Sequence, residues 1–319
     1  MSEMTLRVRA RKHEAENICS FELEHVDAQE LPPFAAGAHI DVHVAPGLVR
    51  QYSLCGDPAE RSFWRIGVLL EPASRGGSSG MHETVTAGTV LRVSPPKNLF
   101  ELVDDAAHSV LIAGGIGVTP ILAMARQLQR QGRSFELHYC ARSPERMAFR
   151  EEIRTSAFAD RTRTYFNDAT SAPFDAVAAL RGAPPGAHLY VCGPTGFMDH
   201  VLTAARSSGW SEERLHREHF AAAAVMDPAG DLPFRLHLHR TGTTLDVPAG
   251  VSALQVLLDH GVDVNYSCEA GICGSCMTGV LEGTPDHRDT CLMDTERAAN
   301  NVFTPCCSRS KTPTLVLDL

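Results

Sequence analysis

Residues 109–129 read SVLIAGGIGVTPILAMARQLQ. An apolar run ends in a glycine turn at Gly114, Gly115 and Gly117 and passes into a helical pattern, with Thr119 placed to cap the helix and Pro120 at its first position. The same order of strand, glycine-bearing turn and helix returns in LYVCGPTGFMDHVLTAA, residues 189–205. Between Ser109 and about Phe220, compact apolar runs such as FELHYCAR alternate with helical stretches, which implies a parallel α/β sheet. Two strands of such a sheet then end at one crevice, where such sheets bind ligands, and the free N–H groups of a helix start suit a pyrophosphate. GGIGVTP departs from the G-x-G-x-x-G dinucleotide fingerprint, so the turn gains its weight from the pair; Cys192 alone would read as core packing.

The sequence before Glu101 has a different grammar. Short alternating runs (TLRVRARKH, ICSFELEHV, HIDVHVA, FWRIGVLL, GTVLRVSPP) are separated by Gly, Pro and Asp, the spacing of an antiparallel barrel or sandwich. After the parallel-sheet region, AAAAVMDPAGDLP at 221–233 reads as a linker. A small α+β unit follows: a hairpin in FRLHLHRTGTTLDVPAG, a short helix in SALQVLLDHG, and strands in CMTGVLEG and TPTLVLDL. A length of 319 residues suits two or three domains. We place the boundaries at 1–103, 104–222, a linker at 223–232, and 233–319.

Apolar residues make up 44% and charged residues 21%, ordinary globular usage. No stretch resembles a signal peptide or a membrane span, so a cytoplasmic location is expected. A net charge of −9 argues against nucleic-acid binding, which needs a basic stripe. From Asp231 onward there are 11 Asp/Glu and 6 Lys/Arg, a balance of −5 that favours a basic partner surface.

In a reducing compartment, tightly spaced cysteines more often hold metal than form disulfides. CEAGICGSC at 268–276 places Cys268, Cys273 and Cys276 as C-x4-C-x2-C, and Cys306 follows after 29 residues. That is the ligand layout of a plant-type 2Fe–2S cluster. Structural zinc prefers paired C-x2-C motifs, and inert thiols do not explain four matched positions. Gly271 and Gly274 suit a loop that must take unusual backbone angles around a cluster. Cys307 rivals Cys306 as fourth ligand, and Cys291 reads as structural.

VRQYSLCGDP contains R-x-Y-S in a barrel-type strand: an arginine for a phosphate, a tyrosine ring to pack on a flavin, and a serine to bond its polar edge. By itself it is a weak signal, since a surface arginine on an alternating strand is commonplace. The glycine-rich loop RGGSSGMHE at 75–83 offers further amides and hydroxyls for a phosphate, or serves only as a turn.

In this order the motifs, covering nearly the whole chain, resemble the phthalate dioxygenase reductase family, reductase components of Rieske oxygenases such as vanillate demethylase. The resemblance implies an antiparallel FMN-binding β-barrel, a ferredoxin-reductase-like α/β domain for NADH and a C-terminal β-grasp ferredoxin domain with a 2Fe–2S cluster. It implies that Arg50, Tyr52 and Ser53 bind FMN, with Gly76, Gly77, Ser78 and Ser79 near its phosphate. Gly115, Gly117, Thr119 and Pro120 would line the NADH pyrophosphate and ribose, and Cys192, Gly193 and Pro194 the nicotinamide. Phe220, in EHF, would stack near the flavin. Similarity of PCCSR to plant-type ferredoxins favours Cys306 over Cys307. The acidic residue that binds an NAD ribose in dinucleotide folds is replaced in HYCARSPER by Arg142 and Arg146, which could tolerate a 2′-phosphate, but the family implies NADH.

Nicotinamide gives up two electrons together and an iron–sulfur cluster accepts one, so a flavin between them splits the pair. The expected order is NADH, FMN, 2Fe–2S, then a Rieske-type oxygenase docking at the acidic ferredoxin domain, with no acid–base dyad required. Aromatic acid or methyl-ether catabolism is the expected setting. A quaternary-amine (carnitine-type) monooxygenase as acceptor, or a non-enzymatic redox carrier or sensor, is the alternative.

Overall fold

The computed structural model describes residues 3–72, 74, 76–167, 173–220, 230–266, 271, 272 and 274–319. The chain divides into two compact units, Met1–Glu218 and His219–Leu319. The proposed linker at 221–233 falls mostly on 221–229, outside the described residues, as do Cys268 and Cys273.

Unit 1 begins with seven strands: β1 (Met4–Ala15), β2 (Ile18–His25), β3 (Ala38–Ala45), β4 (Leu48–Ser53), β5 (Trp64–Leu69), β6 (Val90–Val93) and β7 (Lys97–Asn98). They pair antiparallel in the order β4-β3-β6-β1-β2-β5, with β7 on β3. A Leu54–Ile66 bridge joins the two ends and closes the barrel. Alternation along the strands sends Leu6, Val8, Phe21, Leu23, Ile40, Val42, Trp64 and Ile66 into the core. The stretch expected as a glycine-rich loop turns instead into a short helix, α1 (Gly77–Glu83), after Gly76 at φ 85°. Buried Met81 anchors it, and absent side chains let it pack closely: a Cβ on Gly77 would lie 2.6 Å from the Arg50 side chain.

The rest of unit 1 is a parallel sheet with its connecting helices: β8 (His108–Gly114), α2 (Val118–Arg130), β9 (Phe135–Ala141), α3 (Arg150–Arg154), β10 (Thr162–Phe166), α4 (Ala176–Arg181), β11 (Ala187–Cys192), α5 (Thr195–Ser207) and β12 (Leu215–Glu218). Strand order is β10-β9-β8-β11-β12. The start of α2 differs from expectation. A 3-10 turn over Gly115–Gly117 precedes it, so the helix starts at Val118, Thr119 is inside the first turn and Pro120 follows it. The Thr119 hydroxyl donates to the Ile116 carbonyl at 3.0 Å and caps no N–H group.

The barrel and the sheet share one core. Gly67 of β5 leaves room for Thr119, whose methyl lies 2.8 Å from where a Cβ would stand. Arg65 donates two hydrogen bonds to Glu152 of α3, at 2.7 and 2.8 Å, and Arg126 of α2 pairs with the same carboxylate.

Unit 2 contains β13 (Phe234–Leu238), β14 (Thr243–Val247), α6 (Ala253–Asp259), β15 (Thr278–Glu282), β16 (Pro285–Asp286), α7 (Asp294–Ala299), β17 (Val302–Phe303), β18 (Arg309–Ser310) and β19 (Thr314–Leu317). The main sheet runs β14-β13-β19-β15-β17, with β13 and β19 parallel. Ser252 caps α6 by accepting from Gln255 N at 3.1 Å, while Leu254 and Leu257 face a core of Leu236, Val247, Phe303, Leu315 and Leu317. This is the β-grasp arrangement. Buried Arg309 donates to the carbonyls of Val251, Pro248 and Leu232 at 2.8, 3.0 and 3.1 Å.

Candidate functional site: two strand-end turns, a flavin strand and a thiol pair

The two glycine turns meet at the ends of neighbouring strands, with Ala113 of β8 opposite Cys192 of β11. A Cβ on Gly117 would stand 2.3 Å from the Cys192 carbonyl oxygen and 2.6 Å from Gly193 N; one on Gly193 would be 3.0 Å from Gly114 Cα. The glycines therefore allow backbone to pass against backbone, and Pro194 then leads into α5. Thr119 and Pro120 are buried, so what they give a ligand is the shape of the turn. Arg146 is held by Glu16 of the barrel at 2.8 and 2.9 Å, so its guanidinium is already paired with a carboxylate. Arg142 is exposed.

Arg50 and Tyr52 lie two apart on β4 and share a face. Arg50 lies against Gly77 at the start of α1, beside Ser78 and Ser79, so the structure brings the barrel arginine and the glycine–serine segment together. The Ser78 hydroxyl accepts from Glu71 N at 3.1 Å, and the Ser79 and Ser74 hydroxyls are 3.2 Å apart. A guanidinium beside small, hydroxyl-bearing residues is a donor set that fits the phosphate of a flavin mononucleotide. Burial raises the Tyr52 phenol above its ordinary range, so the ring is uncharged.

Ser53 turns the other way. Its hydroxyl donates to Glu218 Oε2 at 3.1 Å, and Glu218, the last residue of β12, is paired with Cys192. Ser53, Cys192 and Glu218 thus converge where the barrel meets the parallel strand ends. Burial pushes the Glu218 carboxyl up to about 8, against the opposing pull of the Ser53 hydrogen bond. Burial and then the Glu218 carboxylate hold the Cys192 thiol well above its usual range. At neutral pH the group presents O–H and S–H rather than anions. Glu218 was not anticipated: its only signal was a carboxylate at the end of the polar run LHRE. Phe220, two residues on, is 41% exposed.

In unit 2 the Cys276 and Cys306 sulfurs are 3.3 Å apart, so the two thiols are adjacent and would need to part only slightly to hold one iron together. Cys307 instead hydrogen-bonds with Thr304 Oγ1 at 3.3 Å. Gly271 and Gly274 have φ of 70° and 66°, the left-handed backbone a cluster loop needs. Gly271 also leaves room for Cys307, whose sulfur lies 2.4 Å from its absent Cβ. Cys291 is 3.6 Å from Asp289 Oδ2; burial, then that carboxylate, push its thiol up. None of the eight described cysteines is in a disulfide, and no described helix is long and apolar enough to cross a membrane.

A barrel ending at a parallel-sheet crevice, joined in sequence to a thiol-bearing β-grasp unit, defines a flavin- and nicotinamide-dependent iron–sulfur reductase. Residues 236–311 match the family model of the 2Fe-2S iron-sulfur cluster binding domain. Residues 89–215 match that of the dimethylamine monooxygenase subunit DmmA-like N-terminal domain. The chain is 54% identical to vanillate O-demethylase oxidoreductase of Pseudomonas putida, across 97% of this chain and 98% of that protein. It is 39% identical to phthalate dioxygenase reductase of Burkholderia cepacia, across 99% and 97%. A solved phthalate dioxygenase reductase, described as a modular structure for electron transfer from pyridine nucleotides to 2Fe–2S, superposes with a TM-score of 0.77 at 39% identity, covering 100% of this chain and 98% of that one. The chain belongs to the phthalate dioxygenase reductase family and is an NADH-dependent flavin iron–sulfur oxidoreductase with FMN and 2Fe–2S as cofactors.

Bound FMN supplies the step from paired to single electrons. The chain's own part is positional. The two glycine turns let the ends of β8 and β11 pass closely, the Ser53–Glu218 hydrogen bond ties the end of β4 to the end of β12, and the Cys192 thiol is fully buried beside them.

Proposed function

We propose that this chain supplies electrons to the oxygenase component of a vanillate-type demethylase, in the cytoplasm and in the catabolism of aromatic acids or aryl methyl ethers. The observation that carries this is full-length likeness to vanillate O-demethylase oxidoreductases, 54% and 51% identical in two Pseudomonas proteins. In this reading residues 1–103 form the FMN domain, 104–222 the NADH domain, 223–232 the linker and 233–319 the ferredoxin domain. Arg50, Tyr52 and Ser53, with Gly76–Ser79, hold FMN. Gly115, Gly117, Thr119 and Pro120 shape the NADH turn, Cys192, Gly193 and Pro194 face the nicotinamide, and Phe220 lies near the flavin. Cys268, Cys273, Cys276 and Cys306 hold the cluster. The oxygenase docks on the acidic ferredoxin domain, which faces complementary charge on its partner.

The test mixes purified holoprotein with NADH and a vanillate-type Rieske oxygenase component. NADH consumption coupled one-to-one to vanillate loss is expected; cluster bleaching by NADH with no vanillate turnover would remove this acceptor. A second reading, an amine oxygenase as acceptor, is favoured by the match of residues 89–215 to the dimethylamine monooxygenase subunit model. NADH-driven loss of a methylated amine in the presence of its own oxygenase, and none of vanillate, would select it.

A further inference from the structure

Electrons that reach the cysteine loop must leave through surface close to it, and that surface carries unusual side chains. Met277, immediately after Cys276, is 48% exposed, and Met293, two residues after Cys291, is 62% exposed. Both are anchored while their side chains face out. Met277 N donates to Gly274 O at 2.9 Å, and Met293 N donates to Glu296 Oε2 at 2.8 Å at the start of α7. The two methionines also belong to neighbouring parts of the loop. The Met277 sulfur and the Cys291 sulfur each lie 3.8 Å from the point where a Gly274 Cβ would stand. Tyr266, two residues before Cys268 in sequence, adds a third exposed large side chain at 48%. Among the described residues flanking the ligands, Tyr266, Met277 and Met293 are therefore exposed large apolar side chains, inside a unit that is otherwise acidic.

Long-range charge speeds encounter and orients the partner, but contact itself needs dry, adaptable atoms at the centre. Methionine supplies these, being unbranched and polarisable, and it repacks against more than one surface. Electron-transfer complexes are small and short-lived, so a few such side chains suffice.

We infer that Met277 and Met293 form the apolar centre of the surface on which the Rieske domain of the oxygenase docks, with the acidic residues as its rim. This rests on the reading of the chain as an oxygenase reductase. The occupant is specified by the cluster and the charge together: an electron acceptor with a basic face is drawn to the acidic unit that carries Cys276.

The experiment uses full-length holoprotein carrying Met277→Gln, Met293→Gln or both, with Leu232→Gln, exposed at 77%, as a surface control. Three quantities are read: the rate at which NADH bleaches flavin and cluster, the Kd for a purified Rieske oxygenase component, and the oxygenase concentration giving half-maximal transfer. Bleaching is expected to be unchanged in every variant. The double variant is expected to raise Kd and half-saturation about tenfold, ~1.4 kcal/mol, with maximal transfer within about twofold. That loss should persist at 0.5 M salt, where a charge-only interface would already be weak. Kd and half-saturation unchanged, with transfer intact, overturn the inference. Slowed cluster bleaching with an unchanged Kd overturns it as well and assigns the methionines to transfer within the chain. If the wild type binds no Rieske oxygenase and passes it no electrons, the oxygenase-reductase reading itself falls.

Discussion

Substituting Glu218 by glutamine tests the electrostatics of the crevice. A glutamate titrates at 4.5 when unperturbed, and enclosure moves Glu218 to about 8. Between these values the folded chain keeps a proton that the unfolded chain has lost, so stability falls as pH rises from about 4.5 to about 8 and levels off on either side. The full difference corresponds to about 5 kcal/mol. Glu218 retains some solvent contact, which screens part of this, so a loss of ~2–3 kcal/mol is expected. Glu218→Gln has no proton to release. The two proteins should unfold at similar urea concentrations at pH 5, and the variant should be the more stable by ~2–3 kcal/mol at pH 8.5. Urea titrations followed by circular dichroism at half-unit pH steps measure this directly. Superimposable pH profiles for wild type and Glu218→Gln would refute the argument that this carboxyl is held protonated by its surroundings.

Gly117→Ala forces a methyl to 2.3 Å from the Cys192 carbonyl; separating the strand ends should cost ~3 kcal/mol and raise KM for NADH, while FMN content, read from the absorbance spectrum, stays at one per chain. Cys306→Ser should lose iron and the cluster absorbance yet still reduce its flavin with NADH, whereas Cys307→Ser should retain both; iron analysis with stopped-flow absorbance separates them, and the reverse result would make Cys307 the ligand. Glu152→Gln leaves Arg65 and Arg126 without their shared carboxylate, and urea unfolding should show a loss of ~2–4 kcal/mol with unit 2 spectra unaltered.

The domain types were legible because each has its own periodicity: strict alternation in the barrel, apolar runs punctuated by glycine in the parallel sheet, and cysteine spacing in the β-grasp unit. The two edge strands were not. TRTYF and LHRE lack apolar runs since an edge strand is covered on fewer sides. Helix α1 escaped for the opposite reason: GSSGMHE has poor helix propensity, and only the burial of Met81 and the close approach of Arg50 to Gly77 show why it winds. Thr119 and Pro120 satisfy the capping rule on paper, but the 3-10 turn that lets Gly117 pass Cys192 shifts the helix start to Val118. In the site, residue types with known chemistry were visible by spacing. Glu218 was not, because its importance arises from enclosure by Ser53 and Cys192, residues far away in sequence.

β19 is the last strand of its sheet in sequence, yet it lies in the middle, between β13 and β15. Synthesis proceeds from the N-terminus at about 5–20 residues per second, and domains fold largely as units while it does. The barrel and the parallel sheet can therefore be finished, and ready for flavin, while the β-grasp sheet still lacks its central strand. Iron–sulfur insertion becomes a late event in the life of the nascent chain. A product stopped ahead of Thr314 would be a flavoprotein that accepts electrons from NADH and has no exit for them except stray oxidants.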